Sequence, residues 1–316
     1  MLIADTNRFD PFFNIAAEEY FFRQFKEEIF MVYINDPSII IGKHQNPYEE
    51  INLRYVIDNN IPVVRRISGG GTVYHDRGNL NFTFVRNSKD GRQINFSEYA
   101  DPVVRFLTSK GIKPEMGDKH EIRESGLKFS GNAEHLFRNR VLHHGTILFS
   151  SSINDLRESL ARGTGRYKSG AVQSNRTSVG NLTGKLSGID STANLKEQMK
   201  DYILSTNPDS ENYHLTSDDN NSIEDLISTK YNTWDWNWGW GPEYTFNNRM
   251  DLGNNVIEIS LKVRRGIIIS CSFSGYDKLN EIADRLKGVR HTFKDISACF
   301  EGSGVDLPDE LIYKFF

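Results

Sequence analysis

Arg65-Arg66-Ile67-Ser68-Gly69-Gly70-Gly71-Thr72-Val73-Tyr74-His75-Asp76 is the stretch around which this chain is built. Three consecutive glycines weaken any regular element, because glycine loses the most conformational freedom on folding. Such a run means that the backbone turns sharply there or that another group approaches it closely. Upstream, Ile61-Pro62-Val63-Val64 reads as a strand. Downstream, Gly78-Asn79-Leu80-Asn81-Phe82-Thr83-Phe84 alternates polar and apolar residues, the pattern of a strand with one buried face. The bare loop between them follows two arginines. Backbone N–H groups beside guanidinium groups suit an anionic ligand.

The loop is not one of the standard phosphate cradles. It lacks the Gly-Lys-Ser/Thr that ends a P-loop, and the Gly-x-Gly-x-x-Gly spacing of a dinucleotide fold. Ser68 has no Gly-x-Ser-x-Gly frame around it. Phosphate binding by backbone amides with Arg66 remains the chemistry that the residues support.

The rest of the composition sets bounds. The 316 residues allow one large domain or two, and 38% hydrophobic content is enough for a real core. Lys+Arg 38 against Asp+Glu 42 gives a formal charge of −4, which argues against a general nucleic-acid binder. Two cysteines, Cys271 and Cys299, make neither a disulfide framework nor a zinc site, and fit a reducing, cytoplasmic compartment. No apolar run approaches a membrane span. Residues 1–10 carry two aspartates and no basic apolar leader, so no targeting signal is expected.

Working outward along the chain, residues 14–30 read as an amphipathic helix. Asn14 is its expected N-cap, and Glu18 and Glu19 belong to a solvated acidic face. Met31-Val32-Tyr33-Ile34 and Ser38-Ile39-Ile40-Ile41 read as strands. The second ends in Gly42-Lys43-His44-Gln45-Asn46-Pro47, a loop expected to face the same ligand. Residues 97–110 read as a helix stopped by Gly111. In Gly126-Leu127-Lys128-Phe129-Ser130-Gly131-Asn132 a strand would point Lys128 opposite to its apolar neighbours. By the same alternation His143 and His144, on the strand 141–149, face opposite ways and do not share a metal ion. Residues 163–182 have loop composition with basic residues, and 207–221 is polar and expected to be mobile. All four tryptophans lie in Trp234-Asp235-Trp236-Asn237-Trp238-Gly239-Trp240, read as a packed corner. Strands at 255–262 and 266–274 and a helix at 279–286 then suggest a small second domain.

Five ordered segments together resemble the lipoate–protein ligase A family. They are Asp10-Pro11-Phe12-Phe13-Asn14-Ile15-Ala16-Ala17-Glu18-Glu19, Ile41-Gly42-Lys43-His44-Gln45-Asn46-Pro47, the glycine stretch, Lys128-Phe129-Ser130-Gly131-Asn132-Ala133 and His143-His144-Gly145-Thr146. The resemblance implies an α+β fold. A large catalytic domain of mixed β-sheets flanked by helices, residues 1–243, would precede a small α/β accessory domain, residues 244–316. It implies activation of lipoate by ATP to lipoyl-AMP, then transfer to a lysine of an acceptor: the lipoyl domains of 2-oxoacid dehydrogenase E2 subunits, and the glycine-cleavage H protein. Neither nucleic acid nor membrane is implied, and the protein is expected to be a monomer.

Carried over residue by residue, Arg66 and the backbone of Gly71, Thr72, Val73 and Tyr74 would hold ATP. Ser68, Gly69, Gly70 and His75 would contact lipoate. Lys128 would bridge the lipoate carboxylate and the α-phosphate as the catalytic residue, and 163–182 would be a flap over the adenylate. Mg²⁺ would accompany ATP. The family's Asn-Asp-apolar segment is replaced here by Gly117-Asp118-Lys119-His120-Glu121-Ile122, which makes Asp118 the expected metal-contacting carboxylate. Ser178 and Gly180 stand where the family often has Arg and Thr, which shifts that contact to Arg176.

Two other classes fit the residues less well. An acyltransferase working through a thioester needs a cysteine near the pocket, and both cysteines fall after residue 243. A transferase using preformed lipoyl-adenylate lacks only the activation step. A non-catalytic binding protein would not need Lys128 together with the whole glycine loop.

Overall fold

The first helix shows how burial overrides composition. In the structure, a computed structural model that describes residues 1–88, 96–161, 166–175, 177–305 and 307–316, it spans Pro11–Gln24. Asp10, not Asn14, is the N-cap: its side chain accepts from the Phe12 amide, and Pro11 opens the first turn, where its missing N–H costs nothing. Asn14 instead lies in the interior, bonded to Asn35, Thr6 and the Arg8 carbonyl. Glu18 and Glu19 are 1% and 2% exposed, so the expected solvated acidic face does not exist. Glu19 accepts from Arg23, Lys230 and Tyr231, which supplies the partners that a buried carboxylate requires.

The chain forms two compact units that interleave in sequence. The first comprises residues 1–43, 61–157 and 174–233. Its centre is a six-stranded mixed sheet in the order Asn132–Phe137, Arg140–Leu148, Asn79–Asn87, Ile29–Ile34, Leu2–Asp5, Glu211–Tyr213. Glu211–Tyr213 lies in the stretch expected to be mobile; it pairs in parallel with Leu2–Asp5, and a capping box at Thr216 starts the helix that follows.

Both faces of the central Asn79–Asn87 strand are covered, which corrects the expectation of one exposed face. Leu80, Phe82 and Phe84 enter the hydrophobic core with Val103, Phe106 and Leu107 of the helix Phe96–Ser109, and with Leu195, Met199 and Ile203 of the helix Thr192–Thr206. Asn79, Asn81 and Thr83 take the other face. In antiparallel register, Thr83 stands opposite His144 and Met31, and Asn81 opposite Tyr33. Alternation here separates an apolar core face from a polar one, not inside from outside. That polar face also receives Glu18, whose carboxylate accepts from Thr83 Oγ1 and from the Tyr33 hydroxyl at 2.9 Å.

A small three-stranded sheet, in the order Val63–Arg65, Ser38–Ile41, Val73–His75, carries the glycine loop between two of its strands. A second, Glu115–Met116, Ile122–Glu124 and Leu127–Ser130, carries Lys128. The turn after the glycine loop is tightly built. Asp76 accepts from the Gly78 amide at 2.9 Å and from the Ser152 amide at 2.7 Å. A Cβ on Gly78 would lie 2.2 Å from the Ser150 carbonyl carbon. Gly78→Ala is therefore expected to destabilise the protein by about 3 kcal/mol, as overpacking against backbone does. The shift of its urea midpoint measures this; an unchanged midpoint would show that the turn relaxes freely.

The second unit comprises residues 44–60, 158–173 and 234–316. Tyr167–Ser169, from earlier in the chain, pairs with Tyr244–Leu252. That long strand, not anticipated from the sequence, belongs to a four-stranded sheet with Asn255–Arg264 and Ile267–Ser274. His291 sits at its core, accepting from the Tyr244 hydroxyl at 2.5 Å and donating to the Phe315 carbonyl at 2.8 Å. The tryptophan corner is packed except at Trp240, which is 53% exposed: Trp236 is buried, and Trp234 lies so close over Gly266 that no Cβ would fit there. Cys271 and Cys299 are both free. Among the described residues no helix is long and apolar enough to cross a membrane.

Candidate active site

Arg66 is the frame of the glycine loop. Its Nε donates to Ser68 Oγ at 2.9 Å, and Nη1 to the Ile40 carbonyl at 3.1 Å. Nη2 reaches the Gly69 and Gly71 carbonyls at 2.7 and 2.8 Å. A guanidinium has five N–H groups, so these bonds leave one for a ligand. Burial lowers its pKa to about 10, with the opposing pull of Glu18, and it stays cationic at neutral pH. The neighbouring Arg65 is fully buried and donates to the Gly42 and Lys43 carbonyls, which ties the end of the Ser38–Ile41 strand to the loop.

The loop also rests on a buried polar chain. Ser68 Oγ lies 2.7 Å from His144 Nε2, and His144 Nδ1 lies 2.8 Å from Glu18 Oε2. A carboxylate only accepts, so Nδ1–H donates to Glu18, Nε2 accepts from Ser68, and Ser68 accepts from Arg66. His143, on the opposite strand face, donates to Glu134 at 2.8 Å. The two histidines do face apart. Two of the glycines have separate reasons to be there. Gly70 has φ +87, and a Cβ on Gly71 would lie 2.9 Å from Ser174 Oγ.

Beside this loop opens a cavity of ≈ 410 Å³. Of the residues expected at the site, Arg66, Gly70, Gly71, Thr72, Val73, His75, Lys128 and Asp118 line it. Ser68, Gly69 and Tyr74 are not in its wall: Ser68 is buried beneath the loop, and Tyr74 is buried opposite Ile39. Asp76, at the end of the quoted stretch, braces the turn and does not line the cavity. The wall has two characters. Ile15, Tyr33, Ile40 and Asn81, each at most 2% exposed, are its buried members. Lys119, Glu121, Arg123 and Lys128 are its charged ones. Glu121 accepts from Arg123 at 2.7 Å and from the Lys119 amide at 3.1 Å; against its own burial, these bonds hold its carboxyl below the ordinary range.

Lys128 differs from its neighbours. Among the described residues its ammonium makes no hydrogen bond or ion pair, and it lies over Gly131, whose added Cβ would meet Nζ at 3.2 Å. Burial pushes its pKa down, countered by Glu121 and reinforced by Arg123 and Arg66. An amine so placed should react ahead of surface lysines with acetic anhydride at pH 8. Peptide mapping by mass spectrometry checks this, and Lys128 labelled no faster than the exposed lysines would contradict it.

The segment after Gln173 lies across the cavity. Thr72 N donates to Ser174 Oγ at 2.8 Å, Lys119 reaches Asn175 at 2.6 Å, and Lys128 exchanges backbone bonds with Ser178 and Gly180. Residues 163–165 and Arg176 lie outside the described residues. Tyr33, Asn81 and Thr146 carry no local signal for the cavity, because their approach depends on strand register and long-range folding.

Comparison with known proteins bears on what this site does. The model of the lipoyl protein ligase A/B catalytic domain matches residues 10–204. Lipoate–protein ligase 1 of Staphylococcus aureus is 37% identical over 303 residues, covering 93% of this chain and 91% of that protein. The chain belongs to the lipoate–protein ligase family. Two solved members of similar shape are a putative lipoate protein ligase from T. acidophilum with bound lipoic acid and a lipoate-protein ligase A bound with ATP. Both have TM-scores of 0.63, at 26% and 25% identity. They cover 75% and 76% of this chain, and it covers 98% and 97% of theirs. As a lipoate–protein ligase the chain has the expected α+β fold, and the cavity framed by Arg66 and Lys128 is its candidate active site.

Proposed function

We propose that this lipoate–protein ligase uses ATP to form lipoyl-AMP in the cavity beside the glycine loop and passes the lipoyl group to a lysine of an acceptor lipoyl domain. Lys128 carries the proposal: a cationic side chain without a partner among the described residues, on the wall of a cavity that the buried Ile15 and Ile40 also line. In the first step a lipoate carboxylate oxygen attacks the α-phosphorus and pyrophosphate leaves. Both reactants are anions, so fixed positive charge where they meet is the main requirement. Lys128 would touch both, with Lys119 and Arg123 beside it. In the second step the acceptor ε-amine attacks the acyl carbon, AMP leaves with the mixed-anhydride electrons, and the nitrogen loses a proton to give the amide.

The Thr72 amide, one of the expected nucleotide contacts, donates to Ser174 Oγ, so nucleotide binding there would exchange one acceptor for another. Arg66 acts chiefly through the loop that it holds. A magnesium ion fits as a companion of the nucleotide: Asp118 is an exposed carboxylate on the cavity wall, and Mg²⁺ commonly uses one or two carboxylates with substrate phosphates. Bound, it would screen phosphate charge. E2 lipoyl domains and the glycine-cleavage H protein are the proposed acceptors. A monomer in the cytoplasm, with 244–316 as the accessory part of a catalytic 1–243, completes the reading.

The test is direct. With lipoate, Mg-ATP and an apo E2 lipoyl domain, lipoate-dependent pyrophosphate release and a lipoylated lysine are expected. Transfer from synthetic lipoyl-adenylate without pyrophosphate release from ATP would replace this reading by a transferase. Failure of both would reduce the chain to a binding protein.

A further inference from the structure

The buried part of the cavity wall holds an unpartnered polar atom that the chemistry above does not use. His75 is 3% exposed and lines the cavity, and its Nε2 has no hydrogen-bond partner among the described residues. Its other nitrogen, Nδ1, lies 3.0 Å from Asn35 Nδ2. Which ring nitrogen carries the proton follows from the bonds behind Asn35. Asn14 Nδ2 faces the Arg8 carbonyl at 3.0 Å and the Ile34 carbonyl at 3.4 Å, so that end of the Asn14 amide is the donor. The same Nδ2 donates to Asn35 Oδ1 at 2.8 Å, while Asn14 Oδ1 accepts from Thr6 Oγ1 at 2.5 Å. Asn35 therefore turns its oxygen to Asn14 and its Nδ2 to His75. Nδ1 must accept, and the single proton of a neutral imidazole sits on Nε2. Burial, with Arg66 and His144 nearby, drops the His75 pKa to about 3, so the ring is neutral at physiological pH.

A buried N–H left unpaired is costly, which makes this donor a feature that a ligand should answer. On that reading Lys128, Lys119 and Arg123 take the carboxylate and phosphate, which leaves the buried lining residues Ile15, Tyr33, Ile40 and His75, none of them on the Lys128 sheet, for the far end of the acyl chain. A plain alkyl terminus would leave Nε2–H unpaired there. A cyclic disulfide offers sulfur, a weak but polarisable acceptor. We propose that His75 is a specificity residue whose Nε2–H, fixed as a donor by the Thr6–Asn14–Asn35 relay, selects a dithiolane-ended acyl chain over an unsubstituted one. Asn35 is the positioning residue. The proposal rests on the acyl-site reading of the cavity.

The test has two parts. Long-range ¹H–¹⁵N spectra of histidine-labelled protein at pH 7, without ligand, should show His75 as the Nε2–H tautomer. Asn35→Asp should move the proton to Nδ1. The Nδ1–H form in the unsubstituted protein, or an unmoved proton in the variant, overturns the relay. Calorimetry with lipoate and octanoate gives the second part. His75→Leu and Asn35→Asp should each cut the lipoate-over-octanoate affinity ratio about tenfold, chiefly through weaker lipoate binding. An unchanged ratio in Asn35→Asp with the proton moved overturns the selection even if His75→Leu fails to fold. If neither acid binds the unsubstituted protein, the acyl-site reading falls and takes the selection with it. Binding of both acids with unaltered ratios sinks the selection alone.

Discussion

Lys128→Ala is expected to lower lipoate-dependent pyrophosphate release by roughly 10²–10³-fold, the scale of losing one preorganised charge stabiliser at a reacting centre. The same variant should melt at the same temperature or slightly higher. The ammonium is largely desolvated and has no partner among the described residues, so the folded state gains nothing from it without ligand. A residue that costs stability and serves chemistry produces this pairing of effects. Thermal melting and a pyrophosphate assay on one preparation check both halves. Near-normal turnover would remove Lys128 from the centre of the reaction. A large fall in melting temperature would make it a structural residue instead.

Arg66→Ala should act differently, on fold and ligand together. Four hydrogen bonds leave with the guanidinium, and the Gly69 and Gly71 carbonyls lose the donor that sets the shape of the loop. Glu18 also loses a nearby buried cation. A cost of about 3 kcal/mol in urea unfolding is expected, with ATP affinity reduced tenfold or more. Arg66→Lys separates the contributions. Lysine keeps a charge but cannot bond to Ser68, Ile40 and both glycine carbonyls from one planar fork. ATP affinity in Arg66→Lys should therefore stay close to that of Arg66→Ala. Recovery with lysine would mean that charge alone matters, and unchanged affinity in both would exclude Arg66 from nucleotide binding.

The site was partly legible in the chain itself. Lys128 could be placed on a strand, opposite its apolar neighbours, because a period of two is written in local sequence. The glycine loop could be placed between strands, since only a turn or a close approach explains such a run, and Gly70 and Gly71 supply one of each. The separation of His143 from His144 followed from the same period. What local pattern assigned wrongly was Glu18 and Glu19. Two glutamates at the start of a helix look like a solvated face, and no window of neighbouring residues contains Thr83, His144 or Lys230, which bury them.

The sequence alone thus determined the segments and their chemistry: a bare loop behind two arginines, a strand lysine, a paired-histidine strand and a late run of strands and helix. Tertiary structure decided what those side chains spend their bonds on. Arg66 gives most of its donors to backbone carbonyls, Ser68 lies beneath the loop and not in the wall, and Tyr167–Ser169 joins a sheet whose other strands come much later in the chain. The donor state of His75 depends on Asn35, 40 residues away, and through it on Asn14. Periodicity states which way a side chain points. Only the folded chain states what waits there, because a buried hydrogen bond is fixed by the partner that excludes water, and that partner comes from far along the sequence.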